Sequence, residues 1–76
     1  MYDEIVAAIA DELADVVKYT DMAKECKYGS ILKDIAAEEM QHAKNLRSIL
    51  EMQGESLPDM TEQWSKARMA LYIETA

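Results

Sequence analysis

The stretch Ala36-Ala37-Glu38-Glu39-Met40-Gln41-His42-Ala43 sets a carboxylate and an imidazole among small apolar residues. On a helix of about 3.6 residues per turn, Glu39 and His42 share a face, because side chains three residues apart lie on neighbouring turns. The same face carries most of the apolar residues of the segment, which are Ile31, Leu32, Ile35, Ala36, Ala43, Leu46, Ile49 and Leu50. Charged and amide residues such as Lys33 and Gln41 lie outside it, as on a solvated helix face. The pattern therefore predicts a helix that carries Glu39 and His42 on its buried side.

A carboxylate and an imidazole on an apolar helix face need a partner, because unpaired polar groups lose free energy when they leave water. A metal ion suits both groups, since carboxylate oxygen and imidazole nitrogen are common metal ligands. The alternative is a Glu–His hydrogen bond that is tolerated in a helical interface. This helix alone favours neither interpretation, so both stay open.

Composition restricts the chain to one small domain, which we predict to span residues 1–76. Half of the residues are hydrophobic, whereas only two are glycine and one is proline, which indicates an all-α fold with short loops. The single cysteine, Cys26, cannot form an internal disulfide, and this favours a reducing, cytoplasmic setting. We expect no membrane span, because no apolar run is long enough, and no nucleic-acid binding, because the net charge is −7.

Hydrophobic periodicity predicts three helices, over about residues 3–27, 31–53 and 59–74. Polar residues that suit an N-cap and glycines that suit a left-handed terminating position occur at the expected boundaries. The N-cap candidates are Asp3, Ser30 and Asp59, and the glycines that are expected to end helices are Gly29 and Gly54.

The short link between the first two helices forces them into an antiparallel hairpin. With the turn near residue 28, His42 lies about fourteen residues beyond it, level with a position about fourteen residues before it. Glu12 is about 3 Å along the helix axis from that level, within reach of its side chain. It lies at the edge of the first apolar stripe, which consists of Ile5, Val6, Ile9, Leu13, Val16, Val17, Thr20 and Ala23. Glu12 is therefore the best ligand candidate on the first helix, whereas Asp11 and Asp15 lie outside the stripe.

Tyr19 follows Glu12 by one heptad and shares its edge of the helix. A tyrosine there either donates a hydrogen bond to a carboxylate across the bundle or directs its hydroxyl to water.

Glu12 with Tyr19, Met22-Ala23, Ile35 and the run Glu39-Met40-Gln41-His42-Ala43 together resemble the ferritin-like superfamily, and most closely its rubrerythrin branch. The resemblance covers about residues 5–50. It implies a four-helix bundle that holds two metal ions, usually iron, with one Glu and one Glu-x-x-His from each hairpin. Carried over by position, the implied metal ligands and catalytic residues are Glu12, Glu39 and His42, with Tyr19 beside them.

The chain has one such hairpin, and three ligands cannot hold two metal ions. A two-fold axis supplies four Glu and two His from two copies, which resembles the half-ferritin arrangement of encapsulated ferritins. We therefore expect a homo-oligomer, at least a dimer, with two iron ions or another divalent metal per dimer. The activity that the resemblance implies, if the protein is an enzyme, is that of a ferroxidase or a rubrerythrin-like oxidoreductase, which oxidises ferrous iron or reduces oxygen or peroxide.

Two alternatives share this fold, because a fold does not decide a function. The first is a metal-free helical oligomerisation or interaction module, of which a small phage or bacterial accessory protein is an example. The second is a helical oligomer whose central cavity holds a small ligand.

Overall fold

The computed structural model describes residues 1–75, with side chains up to Tyr72. It contains three α-helices, α1 (Tyr2–Ala23), α2 (Gly29–Met52) and α3 (Thr61–Thr75), and no strand in the described residues. The predicted all-α fold class is confirmed. The first two helices form the expected antiparallel hairpin, and the molecule measures 42 × 18 × 16 Å, with its long dimension set by these two helices. Among the described residues we find no helix with the length and apolar composition that a membrane crossing requires.

The turn of the hairpin begins earlier than predicted. The first helix ends at Ala23 rather than Lys27, and Gly29 opens α2 instead of ending α1 in a left-handed conformation. A Cβ atom on Gly29 would lie 2.8 Å from the carbonyl oxygen of Ala23. Glycine is needed here because two backbone segments approach closely, and not because of a positive φ. Ser30 consequently lies inside α2, whose N-cap is Tyr28.

The end of α2 follows the prediction. Gly54 has a φ of 71°, and its N–H donates to the Glu51 carbonyl at 3.0 Å. The N–H of Glu55 donates to the Leu50 carbonyl, also at 3.0 Å. This pair of bonds is a Schellman motif, which satisfies carbonyls that the helix leaves without partners.

The other two predicted caps lie close to helix starts but not at the cap position. The first helix begins at Tyr2 with Met1 as its N-cap, so Asp3 lies in the first turn, where its charge still favours the helix dipole. Asp59 lies two residues before α3, and its carboxylate accepts hydrogen bonds from the Thr61 N–H at 3.4 Å and the Thr61 hydroxyl at 3.0 Å.

The third helix covers one side of the hairpin, where it packs mainly on α1. Its residues Gln63 and Lys66 line a shallow groove with Ala10, Ala14 and Val17 of α1. Trp64 is half-buried against the core, and the Arg47 guanidinium of α2 lies 4.4 Å above its ring. The buried core contains Ile5, Ile9, Leu13, Val16, Ala36, Met40, Ala43, Leu50, Met60 and Ala67.

The opposite side of the hairpin is uncovered. The predicted stripe of α2 is only partly buried, because α1 covers its Ala36 edge and leaves Ile31 57% exposed. We call this uncovered side the open face. It consists of Glu12, Asp15, Tyr19 and Met22 from α1 and Ile31, Ile35, Glu39, His42, Leu46 and Ile49 from α2.

Candidate metal centre

Glu12, Glu39 and His42 meet on the open face. Glu39 and His42 project from neighbouring turns of α2, and the register of the hairpin brings Glu12 of α1 beside them. Each residue offers one potential ligand atom, and these atoms all lie within 4.8 Å of one another. His42 Nδ1 lies 3.5 Å from Glu12 Oε2. Ligand atoms that share one metal ion at about 2.1 Å are about 3–4 Å apart, so small side-chain movements suffice to close the set around an ion.

The Glu12 carboxylate contains a buried oxygen that the described residues do not satisfy. Its Oε2 atom accepts no hydrogen bond within them, and the nearest nitrogen, His42 Nδ1 at 3.5 Å, makes at most an ion pair with it; the side chain as a whole is 24% exposed. Buried carboxylate oxygens without a donor are costly and rare in folded proteins. A cation bound by Glu12 would account for this atom, so the donor set fits a metal ion.

The structure corrects the predicted burial of His42. Its side chain is 53% exposed, because the hairpin buries only one edge of the α2 stripe. Glu39 is half-buried. The cluster therefore lies at the surface of the single chain, where solvent reaches it.

Crowding of carboxylates raises the pKa of Glu39 from 4.5 to about 7. The largest cause is a hydrogen bond to the Glu12 carboxylate, which forms when Glu39 holds a proton. Burial and the negative charge of Glu12 raise the pKa further, as does the charge of Asp15, whereas His42 lowers it. A proton on Glu39 or a bound cation would relieve the repulsion between the two carboxylates.

Tyr19 lies on the same face, half-buried against the core. The Lys18 ammonium is 5.1 Å from the centre of its ring. Among the side chains that the structure describes, up to Tyr72, no carboxylate accepts a hydrogen bond from its hydroxyl. Its place beside the ligands stays a prediction.

Asp15 belongs to this environment, although its position on the helical wheel excludes it from the apolar stripe. It is half-buried, and its charge reaches Glu39. The signal that could have identified it is its spacing, since Asp15 follows Glu12 by three residues and so lies one turn further along the same edge.

Two carboxylates and one imidazole suit divalent iron, manganese or zinc, which accept mixed oxygen and nitrogen ligands. Three side chains leave further coordination positions for a second copy of the chain, for water or for a substrate. In number and type these three ligands equal half of the four carboxylates and two imidazoles of a two-metal site in a helical bundle.

Comparison with known proteins supports this interpretation at the level of the family. A family model described as Rubrerythrin matches residues 3–75, which include nearly all of the three helices. No match was found among curated proteins or among solved structures. Because the family match covers almost the whole chain, the protein belongs to the rubrerythrin family and has its all-α, ferritin-like fold.

Proposed function

We propose that the protein binds two iron ions in a carboxylate site between two copies of the chain. Glu12, Glu39 and His42 of each copy are the ligands. The observation that carries this proposal is their convergence within 4.8 Å, together with the buried Glu12 Oε2 that accepts no hydrogen bond from the described residues. Membership of the rubrerythrin family, which generally binds iron, supports the choice of metal.

The surroundings of the cluster suit a second copy. Apolar side chains of the open face flank the cluster at both ends, with Met22 and Ile31 47% and 57% exposed towards the turn and Ile49 36% exposed on the other side. A two-fold axis through the open face would bury these side chains and bring four Glu and two His together. Four carboxylates also balance the charge of two divalent ions, which removes the repulsion seen between Glu12 and Glu39.

Iron in this site would supply electrons, since two ferrous ions together provide the two that reduce one peroxide molecule to water. The side chains would hold the ions, and Glu39 would take up and release a proton. The imidazole of His42 would bind one ion, and the carboxylates of Glu12 and Glu39 would supply oxygen ligands. Glu39 releases its proton when a metal ion binds and can take one up when the ion leaves, because its pKa lies near 7.

Metal analysis of protein that is purified without chelators tests the proposal. We expect about one iron per chain after anaerobic ferrous loading, and an absorbance increase near the ultraviolet when air is admitted. Light scattering should give a dimer or a larger assembly.

The matched pair of variants is Glu39→Gln and Glu38→Gln, because Glu38 is the exposed neighbour of Glu39 on the outer side of α2. Only Glu39→Gln should lose bound iron, and equal iron in both variants would place the metal elsewhere.

A metal-free interaction module is the second candidate, and the exposed apolar side chains of the open face favour it. An interface built on Ile31 and Ile49 needs no metal ion to associate. In that case the assembly should keep its mass in a chelator, and the wild type should retain no iron after gel filtration. The proposal of a metal site requires that the wild type still contains iron after gel filtration.

A further inference from the structure

The open face has its charged groups in the middle and its exposed apolar side chains at the two ends. Glu12 lies near the middle of α1, and Glu39 lies near the middle of α2. Met22 and Ile31, which are 47% and 57% exposed, lie towards the turn, and Ile49, which is 36% exposed, lies towards the other end of the hairpin. Protein interfaces usually have the opposite arrangement, with an apolar centre that is depleted of charge and a polar rim. Apolar contact alone is therefore a poor basis for association through this face.

Two metal-free copies that meet through the open face would repel each other at its centre. Glu12 and Glu39 have ligand atoms within 4.8 Å of one another, and a two-fold axis adds the same pair of carboxylates from the second copy. Asp15 also belongs to this face, and the Lys18 ammonium, which lies 3.8 Å away on a 60% exposed side chain, offsets its charge only weakly. Each chain has a net charge of −7, which adds a repulsion of longer range. Like charges brought together in an interface oppose association.

A single chain can take up an ion before a second copy arrives. The three donors converge within one chain, and the His42 side chain is 53% exposed, so a hydrated cation reaches them from solvent. Two carboxylates and one imidazole leave coordination positions of a divalent ion unfilled. An ion held there would cancel the charge of Glu12 and Glu39 and leave positions for carboxylates of the second copy.

We propose that the divalent ion is the switch that controls assembly: the metal-free chain stays separate, and an ion bound by Glu12, Glu39 and His42 makes the open face associate with a second copy. This inference rests on the proposed metal-binding function. The effect is reciprocal, so association tightens metal binding by the same factor. The amount of dimer therefore depends on the supply of metal, and the affinity for metal depends on the protein concentration.

Sedimentation velocity at several protein concentrations tests the switch. Zn²⁺ is the probe, because it does not change its oxidation state. We expect a mass near 8.6 kDa in a chelator and a dimer when Zn²⁺ is added. The dissociation constant of the dimer should fall by about tenfold or more when Zn²⁺ is bound. A titration against a competing chelator should show tighter Zn²⁺ binding at high protein concentration than at low.

A pair of double variants tests whether repulsion at the centre of the face is the cause. Glu12→Gln with Glu39→Gln removes two central charges, so this variant should form more dimer than the wild type in a chelator and respond less to Zn²⁺. Asp11→Asn with Glu38→Gln removes the same charge from exposed positions outside the open face. This control should stay close to the wild type, which separates the central charges from the net charge.

A pair of single variants tests whether the open face is the interface. Ile31 lies on the open face, whereas Met69 lies on α3, and both are exposed, at 57% and 62%. Ile31→Asp should weaken the Zn²⁺-loaded dimer by about tenfold, because it sets a charge where an apolar contact is expected. Met69→Asp should leave the dimer unchanged. Circular dichroism checks that every variant is folded.

The outcomes separate this inference from the function on which it rests. An equal dimer dissociation constant with and without Zn²⁺, in protein that retains the ion, would overturn the switch while the metal site stands. Equal behaviour of the two double variants would overturn repulsion as its cause, and equal behaviour of Ile31→Asp and Met69→Asp would overturn the open face as the interface. A wild type that binds Zn²⁺ but stays monomeric would overturn both the switch and the site between two copies. If the wild type binds neither Zn²⁺ nor iron, both proposals fall.

Discussion

The two sides of the α1–α2 hairpin are built from the same amphipathic helices but serve different purposes. On the side that α3 covers, Val16, Ala43 and Ala67 are completely buried and the contacts are apolar. On the open face, the same helices present Glu12, Glu39 and His42 among exposed Ile and Met side chains. The covered side supplies hydrophobic stabilisation, whereas the open face keeps charged groups that cost stability until they are paired. Folding and the proposed binding are thus separated across one pair of helices.

A truncation on each side gives the largest expected contrast. Leu50 is completely buried, so Leu50→Ala should lower the free energy of unfolding by about 2–5 kcal/mol through lost contacts and a cavity. Ile31 is 57% exposed, and Ile31→Ala should cost less than about 1 kcal/mol in the metal-free protein. Urea denaturation in a chelator measures both. Equal losses would show that the open face is already buried in an assembly without metal.

Metal addition should change the balance between the two sides. A ligand that binds only the folded state stabilises it by about 2.7 kcal/mol when its free concentration is a hundredfold above the dissociation constant. We expect this increment for the wild type and none for His42→Ala, as measured by the shift in melting temperature. Glu38→Gln, the exposed control, should keep the increment. The same shift in His42→Ala would mean that the metal binds away from the open face.

Replacing the polar cluster by apolar residues would make the open face resemble the covered side. The triple variant Glu12→Leu, Glu39→Leu and His42→Met should be as stable as the wild type without metal, or more stable by about 1–2 kcal/mol, because it removes two crowded carboxylates that repel each other. It should gain nothing from iron, zinc or manganese. Denaturation with and without each metal tests both statements. A strongly destabilised metal-free variant would show that the cluster holds the fold together, as a structural hydrogen-bond network does.

The sequence contains most of the information for the covered side and less for the open face. Hydrophobic periodicity predicts the three helices. The number of residues on each side of the turn predicts that Glu12 lies level with His42 in the hairpin. The local sequence does not predict that α1 ends at Ala23, because Lys24 and Lys27 are good helix formers. It also does not explain Gly29, because the close approach of its backbone to Ala23 is seen only once the chain is folded.

The exposure of His42 was missed for a related reason. An apolar stripe shows that a helix face must be covered, but it does not show whether α1 or another copy of the chain covers each part of it. Asp15 was missed because a helical wheel treats one helix at a time, whereas the reach of its charge to Glu39 depends on how the two helices pack.

The smallest expected effect is the pH dependence of the open face. The pKa of Glu39 is raised to about 7 in the folded protein, against 4.5 for an ordinary glutamate. The folded state therefore binds the Glu39 proton more tightly than the unfolded state does. This contribution to stability is complete below pH 4.5 and is lost as the pH rises through about 7. After allowance for solvent screening, we expect a loss of about 1 kcal/mol between pH 5 and pH 8 in the metal-free protein, relative to Glu39→Gln.

Bound metal should reverse this slope, because the ligands must lose their protons before they can bind an ion. Metal-free wild type should thus become less stable from pH 5 to pH 8 relative to Glu39→Gln, while the increment from added metal should grow over the same range. Melting temperatures at four or five pH values, with and without Mn²⁺, give both curves. The matched Glu38→Gln protein should follow the wild type in each. Parallel curves with and without metal would show that Glu39 keeps its proton when the ion is present, and that it is not a ligand.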